Sequence, residues 1–424
     1  MLSKKLLFSA LFGTAAIIAS AQSSTNSPYT RFGFGDLSDR VFTSNAAMGG
    51  VGNALRSSRH INTMNPASYT SVDSLSFMFD LGLSLKSSNY QEGGIKSNAK
   101  NSSFDYLAMQ FRVHPRIGIA LGFVPYSTVG YKFSKTSPVA NSETNLTNTF
   151  VGDGGTNVVF AGLGLKIIEN LSIGANIGYM YGKIDYSTTA NLNNGGDHTI
   201  NYSNTKLKSY KLDLGLQYTQ PINKDNKVTL GLTYELGHDM DAETVIGTQV
   251  TDGSSYNAVT ENTVNGGYGI PTSYGAGLAY QYKDKLTISA DYTLQNWSDV
   301  KHLEESFTYN DRQRIAAGVE YIPNPISKKF LSKLSYRAGI YYCSPYTKIK
   351  DAGTGEFYDG AKEIGVSGGF GFPLTLFQRK TMFSITGQYI KLTPSANKFM
   401  SEDRFVIKIG LTLNEPWFMK WRVN

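Results

Sequence analysis

The sequence holds a single cysteine, Cys343, in 424 residues. No intrachain disulfide is possible, so the fold is held together by other means. Charged residues make up only 17% of the chain, below the roughly 25% of ordinary soluble domains. Beyond residue 21 no run of about eighteen apolar residues occurs, which excludes a bundle of membrane-spanning helices. The formal charge of +7 comes from 40 basic and 33 acidic side chains. They are scattered singly along the chain, whereas a nucleic-acid binder gathers its positive charge in one patch.

Catalytic and metal-binding patterns are equally sparse. The five histidines, His60, His114, His198, His238 and His302, have no ligand spacing and no partner cysteines, which argues against zinc. Asp153 in GDGG and Asp351 in DAGTGEFYDG lack the ligand series of a calcium loop and read as turns. No G-x-S-x-G elbow is present. The chain therefore reads as a non-enzyme without a cofactor.

What is present begins with an export signal. In MLSKKLLFSALFGTAAIIASAQ, Lys4 and Lys5 precede an apolar run that ends in Ala19-Ser20-Ala21, a small-x-small processing site. Gln22 stands where a lipoprotein would have cysteine. Removal of residues 1–21 would take the formal charge from +7 to +5.

Glycine (43), tyrosine (27) and phenylalanine (23) are abundant, and period-two alternation dominates. In SLSFMFDLGLSLK the apolar set is Leu75, Phe77, Phe79, Leu81, Leu83 and Leu85, with polar or small residues between. RIGIALGF, NLSIGANIGYMYG, SYKLDLGLQY and RFVIKIGLTL repeat the pattern, which is that of strands with one apolar face. Fourteen segments qualify, near 74–87, 101–114, 117–133, 156–167, 171–185, 207–219, 227–237, 271–283, 286–296, 312–322, 334–345, 362–373, 381–392 and 403–413. Connections after even strands are short or modest, and most of those after odd strands are long and polar, for example 134–155 and 238–270.

This is the layout of an outer-membrane barrel with periplasmic turns and external loops. In hydrocarbon each backbone donor and acceptor must be paired within the protein, so only a closed sheet can span. A soluble sandwich or a solenoid fits less well, because its strands are shorter and its polar face more charged. The predicted fold is an all-β, fourteen-stranded antiparallel transmembrane barrel spanning 74–413, with a hatch at 22–73 and a periplasmic tail at 414–424. Tyr131, Tyr186, Tyr282, Tyr292 and Tyr389 are expected in interfacial girdles. Asp80, Arg112, Lys211, Asp213 and Lys408 are expected to line the lumen.

The fifty residues before the first strand are too apolar in NAAMGGVGNAL for a disordered tail, so they are expected inside the barrel. The run AMGGVGNAL (Ala47 to Leu55, with Gly49, Gly50 and Gly52), followed by Asn65-Pro66-Ala67, resembles the hatch of the FadL family of outer-membrane transporters for hydrophobic compounds. Pro125, Tyr126 and Tyr131 in the third strand resemble that family's Pro-aromatic kink. A proline removes a ladder donor and interrupts pairing with a neighbouring strand.

The resemblance implies uptake of apolar molecules such as long-chain fatty acids, bound among the external loops and released sideways through a gap at the third strand. It implies membrane lipid and an apolar small molecule as partners, and a monomer. Relatives of the PorV type imply an alternative, a scaffold that receives exported proteins at the cell surface. The locale implied is the outer membrane of a Gram-negative cell.

Overall fold

The computed structural model describes residues 24–74, 76–193, 198–251, 256–351, 353–376, 379–396 and 400–416. The expected signal peptide, residues 1–21, and the last residues of the expected tail, 417–424, lie outside the described residues. Fourteen strands form the wall: β1 Ser76–Glu92, β2 Ile95–His114, β3 Ile117–Pro138, β4 Asn145–Ile168, β5 Leu171–Leu192, β6 His198–Pro221, β7 Asn226–Glu235, β8 Ser273–Tyr282, β9 Leu286–Gln295, β10 Arg312–Tyr321, β11 Ser335–Cys343, β12 Lys362–Leu376, β13 Arg379–Thr393 and β14 Ser401–Pro416. Each pairs antiparallel with the next, and β14 returns to β1 from Ser76↔Pro416 to Gln91↔Ser401. The sheet is closed.

The alternation sorts itself between lipid and lumen. Leu121, Ile177, Leu214, Leu278, Ile315, Ile340 and Ile407 are among the exposed apolar residues of the outer face. Asp80, Lys211 and Asp213 are buried inside. No helix among the described residues is long and apolar enough to cross a membrane, and the apolar outer belt identifies a transmembrane β-barrel. Short turns mark the periplasmic rim.

Several strands run further outward than their apolar pattern. Residues 134–155, expected as a loop, are mostly strand, with β3 and β4 paired as far as Pro138↔Asn145. Residues 238–270 hold a hairpin, Asp241–Thr251 against Tyr256–Asn265, that pairs with the top of β6. Beyond the membrane a strand needs no apolar face, so its pairing leaves no period-two signature. At the other end β14 continues to Pro416, three residues past the expected boundary at 413.

Two of the expected girdle residues point the other way. Tyr282, Tyr292 and Tyr389 are on the outer face, but Tyr131 is 5% exposed and stacks on Tyr186 inside the barrel. Tyr186 belongs to the unbroken inward set of β5 with Met180 and Ile184, whereas for Tyr131 the cause is a bulge between Pro125 and Ser127 in the β3–β4 ladder. One extra residue exchanges the inward and outward sets for the rest of the strand. Arg112 lies at the periplasmic end of the inward face, donating to the Pro115 carbonyl at 2.6 Å and to the hatch's Val72 carbonyl at 3.4 Å.

Candidate functional site: the hatch and the break in the wall

The described hatch, 24–74, fills the lumen. Phe34, Phe42, Met48, Val51, Ile61 and Tyr69 are each at most 2% exposed. Its regular elements are short, because a chain folded inside a barrel takes its contacts from the wall: helical turns at Pro28–Arg31, Thr43–Ala46 and Pro66–Ser71, and the two-residue strand Asp36–Leu37.

Asn65 caps the last of these turns. Its Oδ1 accepts from the Ala67 N–H at 3.1 Å, while Nδ2 donates to the carbonyls of Asn53 (2.7 Å), Leu216 (3.2 Å) and Leu232 (3.3 Å). Pro66 occupies the first position of the turn, where its fixed φ fits and no backbone donor is needed. One side chain thus turns the chain and fastens it to β6 and β7.

The glycine run does comparable work against other strands. Gly49 and Gly50 have φ of +70° and +77°, a region costly for other residues. Their carbonyls accept from Arg314 of β10 at 2.7 and 3.2 Å. The N–H groups of Gly52 and Asn53 converge on one Asp291 oxygen of β9 at 2.6 and 2.8 Å.

Between these anchors the segment Asp36-Leu37-Ser38-Asp39-Arg40 is tied to the wall by charge. Asp36 meets Arg404 of β14 at 3.2 Å and Lys86 of β1 at 3.8 Å. Asp39 meets Arg312 at 2.8 Å and Arg314 at 3.1 Å. Arg40 meets Asp213 of β6 at 2.6 Å and Glu235 of β7 at 3.0 Å, and Lys211 contacts the same two carboxylates. Burial would raise the Asp39 carboxyl, but Arg312 and Arg314 outweigh it and hold it at about 2.

The wall beside this segment is incomplete. β2 and β3 pair only from His114↔Ile117 to Leu107↔Phe123. Above that level β2 pairs with β1 alone, and β3 keeps β4 on one side. On the abandoned side of β3 the hatch takes over: Asp36 pairs with Thr128, Leu37 with Ser127, and the Ser38 N–H donates to the Tyr126 carbonyl at 2.8 Å. Gly130 N–H donates to the Thr30 hydroxyl at 3.1 Å.

The height of the break matters. From Ile117 to Phe123 a strand advances roughly 20 Å, or about 15 Å along the membrane normal at a tilt of about 40°. The apolar band of such barrels is about 25 Å tall. The break begins at the depth of the outer leaflet, where an unpaired strand edge is costly. The hatch supplies the bonds that β2 does not.

Behind the break is a cavity of about 290 Å³. It is bounded by hatch residues 36–42, by Ser103 and Asp105 of β2, by Val124, Pro125 and Thr128 of β3, and by Lys86, Arg312, Arg404 and Lys408. Toward the outside, Phe34 packs edge-on to Tyr268 at 5.5 Å and against Trp297 at 5.7 Å. Trp297 in turn packs on Tyr309 and Tyr346 at 5.3 and 4.9 Å. This aromatic cluster closes the top of the plug.

The residues singled out in the sequence thus fall into two places. Asn65, Pro66 and Ala67 sit low against β6 and β7; Gly49 and Gly50 lie against β10 and β11, and Gly52 lies beside Asn62 and Met64, next to the Asn53 carbonyl that Asn65 holds. Pro125 and Tyr126 form the break, and Tyr131 packs inside above it. Asp36, Asp39, Arg40, Arg312, Arg314 and Arg404 escaped sequence reasoning. The available signal was DLSDR, three charges within five residues of a segment expected to be buried. Among the described residues no group of three or more His, Cys, Asp or Glu could hold a metal ion.

A family model described as BamG matches residues 1–424, the whole chain. No curated protein matches. Among solved structures, the barrel resembles a Pseudomonas aeruginosa FadL homologue (TM-score 0.62, 13% identity, 91% of this chain and 100% of that one). It also resembles the P. putida toluene transporter TodX (0.60, 13%, 90% and 100%) and the CymD monoaromatic hydrocarbon channel (0.56, 15%, 88% and 97%). At these identities the likeness establishes a FadL-like fold.

Proposed function

The chain belongs to the BamG family, and we propose that it is an outer-membrane conduit for the uptake of hydrophobic compounds, releasing them sideways between β2 and β3. The observation that carries this reading is the break above Leu107↔Phe123, covered by a hatch strand and backed by a cavity that touches both of its edges. Two solved proteins of like fold, a toluene transporter and a monoaromatic hydrocarbon channel, carry cargo of this class.

A cargo molecule such as a long-chain fatty acid enters among the external loops, displaces Asp36–Leu37 from the edge of β3 and passes into the outer leaflet. Lateral release has a thermodynamic reason. Carrying an acyl chain through water would forfeit about 0.8 kcal/mol for each CH₂. The charged lining of the cavity suits cargo with a polar end.

A second reading is favoured by one observation. The top of the plug is filled by the aromatic cluster, while β4, β5, β6 and the hairpin 241–265 project outward as a wall that could receive an exported protein at the cell surface. A single experiment separates the two. Cysteines at Leu37 and Ser127, which are register partners, in a Cys343→Ala background would lock the hatch strand onto β3. Uptake of a fluorescent fatty acid or of labelled toluene should fall under oxidising conditions and return on reduction. Equal uptake by the locked and reduced proteins refutes the conduit, and a stoichiometric surface protein co-purifying with the locked form would establish the scaffold.

A further inference from the structure

The connection from β10 to β11, residues 322–334, is unlike its neighbours at the periplasmic rim. β2–β3, β4–β5, β6–β7 and β8–β9 are joined by two to four residues. Here the chain inserts IPNPISKKFLSKL. Its ends are buried, Ile322 at 2% and Leu334 at 4%, and the loop is closed on itself by the Asn324 N–H donating to the Ser332 carbonyl at 2.8 Å. Yet it presents Ile326 at 90%, Leu331 at 66% and Phe330 at 50% exposure. Ordered apolar side chains held outward at a membrane rim call for a non-aqueous neighbour.

Two observations say which neighbour. The first is position. The Phe330 ring stacks on Phe372 at 6.3 Å, Phe372 lies 6.3 Å from Phe370 and 6.1 Å from Phe383, and Tyr336 packs edge-on to Phe370 at 5.6 Å. Phe370 is 47% exposed on the outer face of the wall, and the Tyr336 hydroxyl donates to the Leu331 carbonyl at 3.1 Å. The loop therefore lies against the outside of the barrel, where the lipid is, and not across the lumen. The second is charge. Lys328, Lys329 and Lys333 flank the apolar residues, and residues 322–334 contain no Asp or Glu.

We propose that this loop is an interfacial anchor that binds anionic phospholipid of the periplasmic leaflet. Ile326, Phe330 and Leu331 enter the boundary between headgroups and acyl chains, and the three lysines engage headgroup phosphates. Apolar insertion joined to a basic cluster is the combination that gives stable and lipid-selective attachment at an interface. The aromatic rings of the wall continue the same layer.

The test places a nitroxide at Ile326→Cys in a Cys343→Ala background, with a second label at Lys224→Cys in the β6–β7 turn as the aqueous reference. The full-length protein is placed in nanodiscs of phosphatidylcholine, with or without phosphatidylglycerol. Collisions with oxygen and with a water-soluble nickel chelate report depth. The label at 326 should lose nickel collisions relative to that at 224. It should move deeper when phosphatidylglycerol is added, and Lys328→Gln, Lys329→Gln and Lys333→Gln together should abolish that shift. Nickel access equal to that of the turn overturns the anchor. Burial that ignores phosphatidylglycerol overturns the anionic-lipid assignment. Neither readout depends on uptake of cargo.

Discussion

Replacing Arg40 with methionine should loosen the hatch without opening the barrel. Methionine keeps most of the apolar stem and removes the charge. In the native protein Arg40 and Lys211 balance Asp213 and Glu235, whose side chains are 10% and 7% exposed. Without Arg40 the group carries an excess negative charge inside the lumen. Removing one partner of a buried pair costs about 3–5 kcal/mol when the other is left alone. Lys211 still touches both carboxylates, and Arg40 itself is 20% exposed. The net cost is therefore about 2 kcal/mol. At 1.36 kcal/mol per factor of ten, the detached hatch becomes roughly 30-fold more populated.

Hydrogen exchange of amides in 24–60 reads that population directly, because they exchange through local detachment and not through unfolding of the wall. Protection there should drop while β8–β10 amides keep theirs. Arg40→Met combined with Glu235→Gln removes one charge of each sign, so the double variant should recover at least about 1 kcal/mol of the loss. Unchanged protection in Arg40→Met, or additive losses in the double variant, would refute the argument that charge balance clamps the hatch.

Gly49→Ala places a side chain at φ +70° and a Cβ 2.6 Å from the Ile340 carbonyl; it should destabilise hatch docking by about 2 kcal/mol or more, read in the same exchange experiment. Asn65→Ala strips a donor from the Asn53, Leu216 and Leu232 carbonyls. It should cost about 2–3 kcal/mol, seen as faster proteolysis of the 60–70 segment. His60 is held down to about 4 by burial and by Arg337 nearby. Its folded value lies below the ordinary 6.5, so its effect on stability is absent above pH 6.5. As pH falls toward 4 the unfolded hatch takes up the extra proton and docking weakens, by about 3 kcal/mol in total. His60→Gln should flatten that slope in a pH series of urea midpoints, and an unchanged slope would exclude His60 as its source.

The fourteen membrane crossings were readable because lipid selects every second residue along each strand, a local signal that survives in the sequence. Where that selection stops, so does legibility, as in the polar outer halves of β3 to β6. Tyr131 was misplaced for another reason: the Pro125–Ser127 bulge exchanges the faces of β3, and nothing beyond Pro125 in the sequence announces it. Tyr186 keeps the inward phase of Met180 and Ile184 on β5, and the alternation there already placed it inside. The Asn65 turn was readable because its donor and acceptor are two residues apart. The clamp was not, since Arg40 and Asp213 are 173 residues apart and Asp39 and Arg312 are 273 apart. Pairings of that kind exist only once the barrel has closed.

The same clamp sets a requirement on any cargo that opens the break. Asp36, Asp39 and Arg40 are tied to β14 and β1, to β10, and to β6 and β7, so the hatch strand cannot leave β3 without loosening ties on three sides of the lumen. At about 2 kcal/mol for each tie, displacement costs about 6 kcal/mol. A ligand can shift that equilibrium only by its preference for the open state. Burial of about 0.8 kcal/mol per CH₂ means that about eight methylenes are needed before opening becomes favourable. Uptake of a saturated fatty acid series should therefore rise steeply near that length. Arg40→Met should move the rise to chains about two or three carbons shorter, because it removes about 2 kcal/mol of the cost. A threshold that stays in place in Arg40→Met would mean that cargo passes without displacing the hatch strand.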